Sequence, residues 1–208
     1  MPTSASAGAS PRSTLLGGED QQLKEPTLRI LCLITAMLFG LPIPTAADDN
    51  EHRAPKMILG WLESIQLAGT GMRIKTKLDP GAKTSSMQAT NIERYQRDGE
   101  TWVRFDFTDT DLDTDKEETH RLEGPLIREV VIKRHGAPNV IRPVVSQNFC
   151  LYHQIYNAEF SLTDRDKFNY AILLGRSFLA HVALVDSSEI FLSRPTCEGN
   201  TSVQDVLD

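Results

Sequence analysis

Cysteine, aromatic residues and clustered positive charge are all in short supply in this sequence, and each shortage removes a class of function. Three cysteines in 208 residues are too few for a disulfide-dense scaffold, and none are spaced as a Cys-x-x-Cys zinc pair. Lysine and arginine number 22 against 28 aspartates and glutamates, for a net charge of −6. They form no block, whereas a nucleic-acid binder needs a clustered basic surface to displace counterions from phosphates. The apolar run from Ile30 to Leu41 stops well short of the ~20 residues that cross a bilayer.

Several catalytic signatures are missing too. Gly81-Ala82-Lys83-Thr84 superficially resembles a phosphate loop, but that motif needs Gly directly before the Lys, where Ala82 stands. No Gly-x-Ser-x-Gly elbow surrounds Ser85 or Ser86, which excludes the hydrolase nucleophile turn. The histidines at 52, 120, 135, 153 and 181 are scattered, with no His-Glu-x-x-His pair, so no metal and no other cofactor is expected. A calcium loop counted from Asp109 would need Gly and Glu where Thr114 and His120 stand. The acidic run from Asp106 to Glu118 therefore reads as a solvated loop.

What is present begins with a targeting segment. Lys24 and Arg29 precede the short apolar run, and Pro42 and Pro44 lead to Thr45-Ala46-Ala47, the pattern of a signal peptide over 1–47 cut after Ala47. A membrane anchor is the weaker alternative because the run is short. Cleavage predicts a periplasmic or secreted chain with no stable membrane insertion. It also removes Cys32 and leaves Cys150 and Cys197, which either pair in an oxidising compartment or remain two free thiols. A charged leader, 48–56, precedes a domain expected over 57–194, and the polar residues 195–208 read as a flexible tail.

Within the domain, apolar residues alternate. Met72, Ile74, Thr76 and Leu78 share one strand face, as do Val103, Phe105 and Phe107, and again Tyr156, Ala158, Phe160 and Leu162. Gly136-Ala137-Pro138-Asn139 separates two strand candidates with turn chemistry. Ile172-Leu173-Leu174 ends at Gly175, Arg176–His181 suits a short helix, and 182–185 and 190–192 read as two closing strands. Short strands at this spacing predict an all-β barrel or sandwich with one short helix.

The strand ending at Leu78 runs into Asp79-Pro80-Gly81-Ala82-Lys83-Thr84-Ser85-Ser86. A small-residue loop there presents a carboxylate at the end of an apolar strand, the setting a water-activating carboxylate needs. Asp-Pro-Gly is equally the composition of a plain turn. The later run Ile172-Leu173-Leu174-Gly175-Arg176 alters that balance, because the ordered pair of motifs resembles retropepsin-like aspartic peptidases. With Arg142-Pro143-Val144-Val145 and Phe160-Ser161-Leu162-Thr163-Asp164-Arg165 added, residues 59–194 resemble a bacterial family long labelled "ATP-dependent zinc protease", now regarded as retropepsin-like, some of whose members accompany glutamate ligases.

The resemblance implies a closed retropepsin-like β-barrel of about six or seven strands with a single catalytic motif per chain. It implies Asp79 as the catalytic residue, Pro80, Gly81 and Ala82 as its loop, and Thr84, Ser85, Leu174, Gly175 and Arg176 as loop support. Two protomers would bring their Asp79 carboxylates together to share a proton and activate water on a peptide or protein substrate. A hairpin after Asn91 would supply the flap. The family's usual Thr or Ser after the catalytic Asp is replaced by Pro80, which has neither hydroxyl nor N–H. Lys83 stands where viral retropepsins carry an acidic partner for the Gly-Arg arginine. Lys83 and Arg176 together would make a substrate cleft cationic and favour acidic peptides; alternatively, Lys83 is solvated and Arg176 pairs with Asp164 or Asp186. The rival to an enzyme is a catalytically silent protein that binds peptides or a partner through the same cleft.

Overall fold

Alternating apolar and polar residues shape most of the chain, and the structure is mostly β with one short helix. The computed structural model describes residues 55–134, 136–199 and 201–206. The expected signal peptide and nearly all of the leader lie outside the described residues, as do His52 and His135. In chain order the elements are β1 (Met57–Leu67), β2 (Arg73–Asp79), β3 (Ser86–Gln88), β4 (Thr90–Arg97), β5 (Glu100–Asp111) and β6 (Lys116–Ile132). There follow β7 (Val140–Leu151), β8 (Gln154–Thr163), β9 (Ile172–Gly175), helix α1 (Arg176–Val182), β10 (Ala183–Ile190) and β11 (Val203–Val206).

Eleven strands hydrogen-bond in the order β10-β1-β2-β9-β3-β8-β7-β6-β5-β4, with β11 added beside β8. The far end of β1 also meets β7, at Gln66–Cys150 and Leu67–Phe149, so β1, β2, β9, β3, β8 and β7 form a ring of paired strands. The strand count exceeds the expected six or seven because β4, β5 and β6 extend the sheet and β11 joins it. The side chains at the centre come from the alternating positions: Ile74, Leu78, Phe105, Phe107, Phe149, Phe160, Ile172 and Leu174 are all completely or almost completely buried. Phe149 stacks on both Phe160 and Phe178, ring centres 5.7 and 5.5 Å apart, so α1 is fixed by the aromatic residue it buries.

Three segments differ from their sequence-based expectations. The acidic run is not a loop. β5 continues to Asp111 and β6 starts at Lys116, because Phe105 and Phe107 anchor one face while cross-strand pairs neutralise the other. Arg121 meets Asp106 at 2.9 Å and Glu93 at 2.8 Å, and the Thr108 and Thr119 hydroxyls meet at 2.8 Å. The remaining turn is closed by Asp111, whose carboxylate accepts the Arg73 and Asp113 N–H groups and the Thr114 hydroxyl. In place of the two closing strands expected at 182–185 and 190–192 there is one, β10, parallel to β1 from Met57–Ala183 through Gly60–Asp186, while Val182 ends the helix and residues 191–192 lie beyond the strand. The segment expected to be a loose tail contains β11, parallel to β8 from Val203–Ile155 to Val206–Ala158, with Val206 buried. Tail polarity concealed it, because a strand that burial at Val206 and backbone pairing hold needs little apolar content. No helix among the described residues is long and apolar enough to cross a membrane.

Candidate active site

β2 and β9 are parallel neighbours in register from Thr76–Ile172 to Asp79–Gly175. Both strands end at the same level, so the loop leaving Asp79 has to cross the start of α1. The Ala82 and Lys83 carbonyls accept the N–H groups of Arg176 and Ser177 at 2.8 and 3.0 Å, taking up donors that a helix's first turn cannot satisfy internally. Ser85 Oγ accepts the Gly175 N–H at 3.0 Å, and the Ser85 carbonyl accepts the N–H and hydroxyl of Ser161. A Cβ on residue 175 would lie 2.5 Å from the Thr84 carbonyl carbon and 2.6 Å from its oxygen. Only glycine fits there. Leu174, completely buried, anchors the bracing strand from below.

Asp79, Pro80, Gly81 and Ala82 form a tight turn closed by Ala82 N–H to the Asp79 carbonyl at 3.1 Å. Proline suits the second position of such a turn, where its fixed φ is already correct. The Asp79 side chain reinforces the turn, with Oδ1 accepting the Gly81 N–H at 3.0 Å. Its other oxygen, Oδ2, accepts from Lys77 Nζ at 2.8 Å. The ammonium of Lys77 holds the Asp79 carboxyl below the usual carboxylate range; partial burial opposes this, and the Gly81 and Ala82 N–H groups add to the lowering. The carboxylate is one-quarter exposed, open enough to meet a water or a partner.

Around it stand the other expected residues. Arg176 donates from Nη1 to the Pro80 carbonyl at 2.8 Å, so it braces the turn and pairs with neither Asp164 nor Asp186. Lys83 is exposed and, among the described residues, enters no ion pair. Cys150 and Cys197 are joined in a disulfide, which settles the choice between a bridge and free thiols. The remaining histidines are dispersed: His120 contacts Glu118, and His153 contacts Thr196.

Sequence reasoning missed Lys77. The signal was available, because residues two apart on a strand share a face and Lys77 stands two before Asp79. It also missed Glu63, which is completely buried and accepts the N–H groups of Gly60, Leu192 and Ser193 and the Ser193 hydroxyl. That carboxylate ties the segment after β10 to β1.

Known proteins resemble this chain in sequence and fold. A crystallised Legionella pneumophila protein of unknown function (DUF785) is 28% identical, with a TM-score of 0.57 over 67% of this chain and 100% of that one. Two proteins named "Probable alpha-L-glutamate ligase" are also similar. The one from Desulfotalea psychrophila is 33% identical over 132 residues, 63% of this chain and 28% of that protein. The one from Shewanella halifaxensis is 34% identical over 137 residues, 65% of this chain and 30% of that protein. The chain thus spans under a third of the length of these curated relatives. Residues 58–196, from β1 to the residue before Cys197, match the family model described as retropepsin-like aspartic endopeptidase RimB. With Asp79 at the end of β2 and Gly175 braced against its loop, the chain belongs to the RimB-like family of retropepsin-like aspartic endopeptidases.

Proposed function

We propose that this protein is an exported aspartic endopeptidase in which the Asp79 carboxylates of two identical chains share one proton and activate a water. The observation that carries this reading is the Asp79 turn itself, a partly exposed carboxylate fixed at a strand end by the Gly175 brace. One chain supplies one such carboxylate, so the mechanism requires an isologous dimer that sets two like charges side by side. One carboxylate then acts as base toward water while its protonated neighbour donates to the peptide carbonyl oxygen. The ring of strands completed at β1–β7 supports a closed barrel as the scaffold. The Cys150–Cys197 bond supports export, since such bridges persist in oxidising compartments.

The substrate reading follows from charge. Lys77, Lys83 and Arg176 all belong to or contact the Asp79 segment, and of these only Lys77 has a carboxylate partner. An extended peptide carrying glutamate or aspartate side chains would find the Lys83 and Arg176 cations beside the Asp79 turn. The relatives' name, "Probable alpha-L-glutamate ligase", agrees with an acidic substrate. Cleavage of glutamate-rich and neutral peptides by the signal-free protein tests both parts. Asp79→Asn is expected to lower turnover by roughly 10²–10⁴-fold, and Lys83→Ala to erase the preference for acidic peptides. If the unmutated dimer cleaves nothing across a broad peptide library, the protein is a binder of peptides, with Pro80 in place of the usual hydroxyl as the reason.

A further inference from the structure

Arg142, on β7, lines an open cavity of about 420 Å3 together with Thr90, Asn91, Pro143, Thr163 and Asp164. Its Nε–H is fully buried and donates to nothing, and among the described residues Arg142 makes no ion pair. Buried donors are almost always satisfied, and a guanidinium cannot escape the cost by losing its proton. A second buried cation directly follows Asp164, which lines the same cavity. Arg165 is only 7% exposed and is held entirely by neutral groups: the Tyr170 carbonyl at 2.9 Å, the Ser86 hydroxyl at 2.7 Å and the face of Phe168. Burial first, and the charge of Arg142 second, hold Arg165 below the usual guanidinium range. Arg142 is lowered in its turn by burial and by Arg134. The described residues thus place two arginines near each other with no carboxylate paired to either.

We propose that Arg142, backed by Arg165, forms a binding site for a carboxylate group. The planar guanidinium fork matches the two oxygens of a carboxylate, and the pairing is strong where water is excluded. The site is separate from the Asp79 turn, since no residue of that turn lines its cavity. It lies on the same face. Lys77, Leu173, Ser86, Ser161 and Val144 stand directly across from one another, Asp79 is two residues beyond Lys77, and Arg142 is two before Val144. Asp164 is the opposing charge in the cavity. Its Oδ1 accepts the Asp166 N–H at 2.9 Å, and it weakens rather than replaces an incoming anion. The carboxylate can come from an acidic side chain of a peptide or from a free dicarboxylate.

The test uses the full signal-free chain carrying Asp79→Asn, so that its outcome is independent of peptide hydrolysis. Glutarate and acetyl-Glu-Glu-amide are titrated separately while backbone amide resonances are followed. Saturable shifts are expected at Thr90–Ile92 and Thr163, with Arg142→Gln weakening binding by about tenfold or more and Asp164→Asn tightening it. Binding of the peptide alone identifies a peptide side chain as the source, and equal binding of glutarate identifies a free dicarboxylate. No saturable shift with either ligand at millimolar concentration overturns the proposal. So does an affinity unchanged in Arg142→Gln, or, should that variant not fold, unchanged in Asp164→Asn.

Discussion

Lys77 and Asp79 occupy alternate positions on one strand, and their 2.8 Å contact makes the carboxylate easier to ionise than an isolated one. Because the folded pKa of Asp79 is depressed, the pair's contribution to stability is complete above the unfolded carboxyl pKa and is lost as pH falls through the folded value. The same depression shifts the pH range in which a carboxylate dyad holds one proton toward acid. Lys77→Met is therefore expected to displace the pH–rate profile of peptide cleavage to higher pH; an unmoved profile would show that the ammonium does not act on the reacting group. Glu63 is a different kind of buried acid. It has four backbone or hydroxyl donors and, among the described residues, no cation partner, so Glu63→Ala is expected to cost about 1–3 kcal/mol, measurable by denaturant unfolding, through donors left unsatisfied. Lys77 was legible from strand periodicity alone. Glu63 was not, because its partners Leu192 and Ser193 lie about 130 residues away in sequence and only the parallel pairing of β1 and β10 brings them together.

At the scale of elements, the brace between β9 and the loop leaving β2 leaves no spare space. Gly175→Ala would drive a methyl group into the Thr84 carbonyl, and we expect a loss of about 1–3 kcal/mol from overpacking accompanied by lost cleavage, since Ala82, Lys83 and Ser85 would all shift. Retained activity with unchanged stability would show that the loop can sit elsewhere. The parts of this brace were readable, because β2 alternates apolar and charged residues up to Asp79 and β9 is a continuous apolar run stopped by Gly175. The Asp98-Gly99 turn joining β4 to β5, both residues at positive φ, was equally open to reading, as an Asp-Gly hairpin turn. The β5–β6 hairpin was concealed, because its exposed face is written in charges. Cross-strand neutralisation by Arg121 depends on a register that composition does not disclose.

For the whole molecule, the Cys150–Cys197 bond spans 47 residues and connects β7 to the segment that becomes β11. Closing a loop of that length is expected to contribute about 2–4 kcal/mol by restricting the unfolded chain. Cys197→Ser should lower the melting temperature and speed amide exchange in β11 before any other strand, as a comparison by hydrogen exchange would reveal. Uniform exchange across the sheet would place the stabilisation elsewhere. β11 also occupies the flank of β8 from Ile155 to Ala158, on the side where β3 covers only Ser161 to Thr163. A protein shortened to end at Arg194 would keep every residue of the Asp79 turn while baring four consecutive backbone positions along that flank. Bare strand edges recruit other strands, so such a shortened protein would be prone to self-association through β8, and oligomers it forms in solution would be a poor guide to how the intact chain assembles.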